Sequence, residues 1–144
     1  MANETFDPNS WEDALIADLR AHGGSPSQGP LAGDPLMLLY TTGAATGQRR
    51  RAIATYSRDG DAYVIAGTKS GAPDDPTWVG TIETDPNVEL EVANETFKAT
   101  GEVLRNGPER DRLWEQHVAA LPRFGAYPSQ TGGRIIPIVR LRRS

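Results

Sequence analysis

LLYTTGAATGQRRR, residues 38–51, is the stretch that decides the fold. An apolar run ends in a Thr-Thr-Gly turn, a second glycine follows at position 47, and three arginines close it. The chain runs out as a buried strand and returns beside itself. Such a turn is suited to an anion, because backbone N–H groups approach where no side chain intervenes and guanidinium forks supply countercharge. It is equally the end of an ordinary hairpin with a solvated basic face, and this stretch alone favours that plainer account.

Outward from this stretch the texture stays β. Leu36 to Thr42 is apolar enough for a buried strand. Residues 51–58 and 61–67 flank Asp59-Gly60, a two-residue hairpin signal that would set Tyr56 opposite Tyr63 and Ala54 opposite Ile65. Residues 87–93 alternate, with Val88, Leu90 and Val92 inward; residues 96–104 alternate with Phe97, Ala99 and Val103 inward. An Asn94-Glu95 loop would place Glu91 opposite Lys98. A last strand is expected over residues 134–141, with Pro137 marking an edge or a bulge. Helices are expected in three places. The first is capped by Ser10 and turns Trp11, Leu15, Ile16 and Leu19 to one face. The others cover residues 74–84 and 108–121, the last with an apolar stripe of Leu113, Trp114, His117, Val118 and Leu121. Short hairpins with few crossover helices predict an α+β chain that is mainly β: a small antiparallel barrel with peripheral helices. Residues 1–35 read as an N-terminal helix and a Gly/Pro/Ser-rich connection, and residues 36–144 as the barrel domain.

Composition narrows the chemistry. The 144 residues contain no cysteine, which excludes disulfides, thiolate metal sites and a thiol nucleophile. The net charge of −4 disfavours nucleic acid as a partner. No signal peptide and no long apolar run is visible, so a cytoplasmic protein without stable membrane insertion is expected. His22 follows a helix end and His117 lies within an apolar stripe, and both read as structural. HExxH, GxSxG and GxxxxGK[ST] patterns are absent, and no acidic pair has metal spacing. A barrel without catalytic residues of its own is either a binding module or a protein whose cofactor carries the chemistry. A second glycine-plus-base segment, Thr68-Lys69-Ser70-Gly71-Ala72, follows a strand. Lys69 would supply a point charge and Gly71 a close backbone approach. The two basic bends are expected to meet at one pocket holding a phosphate-bearing ligand.

The order TTGAATGQRR, DGDAYVIAGTKSGAPDDPTW, DPNVELEV, RIIPIV resembles the deazaflavin-dependent nitroreductase and quinone reductase family over about residues 36–141. The resemblance implies a split β-barrel of the flavin-reductase and FMN-binding kind and the reduced deazaflavin F-420 as cofactor. By position it places Thr41, Thr42 and Gly43 beside the ring, Thr46, Gly47 and Gln48 in the turn, and Arg50 facing the cofactor phosphate. It places Thr68, Lys69 and Gly71 in the segment where lysine and backbone amides approach the cofactor, Trp78 on the short helix, and Tyr127 on the substrate side, where Tyr127 or water would supply the proton that follows the hydride. Where the family carries Arg-Lys this chain has Ala44-Ala45, and Thr81 replaces the helix asparagine. The implied activity is hydride transfer from the reduced cofactor to a small electron-poor acceptor: a quinone, a nitroaromatic or an activated enone. The alternatives are a non-catalytic flavin or deazaflavin binding protein and an FMN-using split-barrel reductase.

Overall fold

A computed structural model describes residues 11–29, 31–43 and 47–144. Six strands, β1 (Leu36–Thr42), β2 (Arg49–Asp59), β3 (Ala62–Ala66), β4 (Asn87–Val92), β5 (Glu95–Leu104) and β6 (Ile138–Arg143), close into a barrel in the order β1-β2-β3-β6-β5-β4. Every neighbouring pair is antiparallel. Closure leaves no free sheet edge. Alternate residues point inward, as the period of two demands. Met37 and Leu39 of β1, Ile65 of β3, Leu90 of β4 and Val139 and Leu141 of β6 form the interior core.

Helical cover lies on two separate parts of the barrel's outside. Helix α1 (Trp11–Ala21) lays Ile16 and Leu19 on the outward residues Leu36, Leu38 and Tyr40 of β1. Helix α3 (Pro108–Ala120) and the 3-10 segment Pro122–Gln130 lay Leu113, Leu121 and Phe124 on Val64 and Ala66 of β3 and Ile138 of β6. Helix α2 (Thr77–Thr84) seals a barrel end, with Ile82 joining the interior core. The outer face of β2 runs between the two covers.

Several local expectations shift. The β2–β3 loop is Gly60-Asp61, so Tyr56 pairs with Ile65 and Arg58 with Tyr63. Gly60 takes φ +59 at the first loop position, where a tight hairpin needs a left-handed residue. The slip is two residues, so the same side chains face inward, and Tyr56 meets Tyr63 edge-on along the diagonal at 5.4 Å. The β4–β5 loop is Ala93-Asn94, with φ +50 and +67, and Glu89 rather than Glu91 opposes Lys98. Strand β6 starts after Pro137, which has no N–H for the ladder. Residues 134–137 are not strand, and Ile135 is 59% exposed. Helix α2 starts at Thr77, with Pro76 as its N-cap. Trp11 is 74% exposed, because α1 buries Asp13, Ile16 and Leu19 instead. Asp13 is drawn inward by Arg51, whose Nη2 donates to it at 2.8 Å. In α3 the buried face is Arg110, Leu113 and His117, while Trp114 and Val118 are half-buried. The Arg110 guanidinium is accommodated by donating twice to the Ile136 carbonyl, at 2.7 and 3.0 Å. Ser10 lies outside the described residues. Among the described residues no helix is long and apolar enough to cross a membrane.

Candidate functional site

The uncovered strip of β2 floors a cavity of about 310 Å³. Ile53 and Thr55 of β2 and Ala66 of β3 lie beneath it. Thr68 and Lys69 form one side, and Arg123, Phe124 and Tyr127 another. Trp78 of α2 borders it and also borders a second cavity of about 260 Å³. Thr41, Arg50, Ala52, Thr77 and Thr81 line that second space at the end of the barrel. The two basic bends therefore do not share a single pocket. Thr68 and Lys69 line the first cavity and Arg50, just past the other bend, lines the second; both cavities border Trp78, and Gly43, Gly47 and Gln48 line neither.

Around the first cavity the backbone is arranged for an anion. Thr68 is right-handed helical (φ −75, ψ −37) and Lys69 is left-handed (φ +47). That succession turns neighbouring N–H groups to a common side, the arrangement of anion-binding nests. The Lys69 ammonium lies at its rim and donates to Asp74 Oδ2 at 2.8 Å. This hydrogen bond holds the Asp74 carboxyl below the usual carboxylate range. Gly71 does not line the cavity. A Cβ there would lie 2.6 Å from Gln130 Oε1, so the small residue makes room for the protein's own 3-10 segment.

The second bend is built differently. Gly43 donates to the Gln48 carbonyl at 3.0 Å and accepts from Gly47 N–H at 2.7 Å, which closes the turn. Thr46, Ala44 and Ala45 lie outside the described residues. Arg50 is exposed, and its Nη2 donates to Gln48 Oε1 at 3.0 Å. Its two neighbours are ion-paired. Arg49 stacks over Tyr40 at 4.1 Å and pairs with Glu89, while Arg51 binds Glu12 and Asp13 of α1. Strand alternation sends Arg49 to the separate outer depression it shares with Tyr40, whereas Arg51, although paired with Glu12 and Asp13, lines the second cavity beside Arg50. Thr41 is buried and lines the second cavity. Thr42 points to a separate depression lined by Tyr40 and Arg49 and is not brought to the site.

Tyr127 stands edge-on to Phe124 at 5.3 Å, and Phe124 stands edge-on to His117 at 4.7 Å. His117 is fully buried, with Nδ1 2.6 Å from the Ser57 hydroxyl. Burial, with a smaller contribution from the nearby Arg123 charge, pushes its pKa down to about 4. It is therefore neutral at neutral pH and packs behind the aromatic wall. Arg123 is the cavity residue that sequence reasoning missed. It donates to Thr55 Oγ1 at 3.2 Å and pairs with Asp34 at 2.7 Å. Its position at the start of the 3-10 segment carries no motif. Among the described residues no group of three or more His, Asp or Glu is placed to hold a metal.

Residues 15–142 match the family described as F420H(2)-dependent quinone reductase. An F420H(2)-dependent quinone reductase of Mycobacterium tuberculosis (strain ATCC 25618 / H37Rv) is 40% identical over 111 residues, 76% of this chain and 74% of the relative. A solved F420-H2 dependent reductase superposes with a TM-score of 0.67 at 28% identity, over 75% of this chain and 94% of that one. A structure described as a domain-swapped dimer superposes at 0.69 with 25% identity, over 94% of this chain and all of that one. The chain belongs to the F420H(2)-dependent quinone reductase family.

Proposed function

We propose that this protein is an oxidoreductase that binds the reduced deazaflavin F-420 across the two adjoining cavities and reduces an electron-poor acceptor, a quinone first among them. The observation that carries this reading is the Trp78 border. It joins a nest-shaped backbone bend with a lysine on one side to an exposed arginine on the other. The residues fit the group: N–H donors and two cations for an anionic tail, and a largely aromatic and aliphatic trough for a planar ring.

Lys69 and the Thr68 and Lys69 N–H groups hold phosphate, and Arg50 adds countercharge from the second cavity. Gly43, Gly47 and Gln48 set the turn that aims Arg50. Gly71 lets the lysine-bearing bend pack against Gln130. Thr41 and Trp78 border the ring. When bound, the cofactor supplies a hydride and the protein supplies position. Phe124, itself packed on His117, supports the Tyr127 ring at the cavity wall, and the Tyr127 phenol delivers a proton to the acceptor oxygen and takes one back from water.

The test is to mix the purified protein with reduced F-420 and a soluble quinone and to follow the return of the oxidised cofactor's absorbance. Turnover that disappears in Lys69→Ala supports the reading. Cofactor binding without turnover, with any quinone, nitroaromatic or enone, replaces it by a binding protein. Tight FMN binding with weak F-420 binding replaces it by a flavin-using reductase.

A further inference from the structure

Arg134 lies outside both cavities, yet its side chain is only 12% exposed and makes five hydrogen bonds. Nη1 donates to the Gly67 carbonyl at 2.8 Å and to Asp75 Oδ1 at 2.7 Å. Nη2 donates to the Thr68 carbonyl at 2.9 Å and to the Ala72 carbonyl at 2.8 Å, and Nε reaches Ala72 again at 3.2 Å. Carbonyls from both ends of the lysine-bearing bend thus converge on one planar fork. A lysine cannot reproduce that, because its ammonium is a single point of charge.

The consequence for the ligand side follows from peptide geometry. Across a trans peptide the N–H points opposite to the C=O. Carbonyls of Gly67 and Thr68 directed at Arg134 direct the N–H groups of Thr68 and Lys69 away from it. These two residues line the first cavity, and their N–H groups donate to no partner among the described residues. Asp75 anchors the fork from its other side, and its second oxygen accepts from Arg105 at 2.9 Å. Arg105 in turn grips Glu83 of α2 at 2.7 and 2.8 Å. The bend and the helix that carries Trp78 are held by one charged lattice.

We propose that Arg134 is a positioning residue: without touching the ligand, it turns the Gly67 and Thr68 carbonyls inward and so presents the Thr68 and Lys69 N–H groups to the cofactor phosphate. This rests on the reading of the first cavity as a cofactor site. A residue that merely stabilised the fold would affect every ligand of the cavity alike. Arg134 acts on the anionic part alone.

The experiment titrates the full chain and its Arg134→Lys variant with oxidised F-420 and with the same deazaflavin lacking its phosphate-bearing tail, following cofactor fluorescence. Arg134→Lys is expected to weaken F-420 about tenfold and to change the phosphate-free form less than about twofold. Retained binding of the phosphate-free form reports that the variant is folded. If Arg134→Lys binds neither form, Asp75→Asn takes its place, keeping Arg134 while loosening it, with the same selectivity expected at about threefold. Equal weakening of both forms, or of neither, overturns the proposal. Should the parent bind neither, the cofactor reading itself fails. Amide hydrogen exchange then decides for Arg134: faster exchange at Gly71 and Ala72, whose N–H groups close the bend on the Thr68 and Lys69 carbonyls, supports the role, and unchanged exchange overturns it.

Discussion

The Gly43–Gln48 turn and the Thr68–Ala72 bend look alike in sequence: a strand end, glycines and a cation. In three dimensions they are opposites. The second is clasped from behind by a half-buried guanidinium and presents N–H groups outward. The first is closed by its own backbone and offers one exposed arginine held by Gln48, its two neighbouring arginines being taken up in ion pairs. Whether a basic glycine loop becomes a built site depends on residues far away in the chain. Arg134 is more than sixty positions from the carbonyls it holds.

The largest expected effect tests whether the two bends serve one ligand. Lys69→Ala and Arg50→Ala should each cost about 1–3 kcal/mol in affinity for oxidised F-420. The double variant should lose roughly the sum, about 2–6 kcal/mol, because the sites are separate but the ligand is shared. Fluorescence titration measures all three. An Arg50→Ala variant that binds as the parent does would confine the ligand to the clasped bend.

The next effect separates the scaffolds behind the two cavities. The aromatic wall of the first rests on neutral His117, whose pKa is lowered from 6.5 to about 4. The unfolded chain takes up this proton below the ordinary value and the folded chain resists it. Its contribution is therefore complete above pH 6.5 and is lost as pH falls toward 4. The loss is about 3 kcal/mol, and His117→Gln should remove it from the pH profile of urea unfolding. A parent and variant with parallel profiles between pH 7 and 4 would show that His117 is not the sensitive group.

The glycines of the two bends give a smaller contrast. Gly71 has φ +82 and Gly47 has φ +66, so alanine is strained at both. At Gly71 the added Cβ also meets Gln130, whereas at Gly47 nothing lies within 4 Å. Gly71→Ala is expected to lose about 2–3 kcal/mol and Gly47→Ala about 1 kcal/mol in denaturant unfolding. Equal losses would mean that Gln130 moves aside freely.

These contrasts mark what the sequence could and could not disclose. Alternation of Val88, Leu90 and Val92 and the apolar run Leu36 to Thr42 were legible because burial imposes a period on each strand. Register was not, because turn type is chosen by backbone angles: Ala93 accepts φ +50 although its residue type gives no sign of it. Lys69, Thr68 and Tyr127 were legible from resemblance and meet at one cavity. Arg123 and Arg134 were not, because their significance comes from contacts across the fold, with Thr55 and with the Gly67–Ala72 backbone. The apolar side of α1 misled for a related reason. A buried Asp13–Arg51 pair rotates the helix and leaves Trp11 outside.

The smallest effect concerns the one partner that Lys69 already has. Asp74 pairs with it at 2.8 Å, both side chains are largely exposed, and such a pair contributes little to stability. Asp74→Asn should therefore leave the urea midpoint almost unchanged. An anionic ligand, however, must compete with Asp74 for the ammonium, and removing the carboxylate also removes a negative charge beside the nest. F-420 affinity should rise about two- to threefold, with the gain fading as salt is added. The same substitution should leave the phosphate-free deazaflavin unaffected, because the competition is for the anion alone. A fall in F-420 affinity would mean that Asp74 holds Lys69 in its binding position rather than away from it, and would extend the clasp on this bend from its backbone to its side chain.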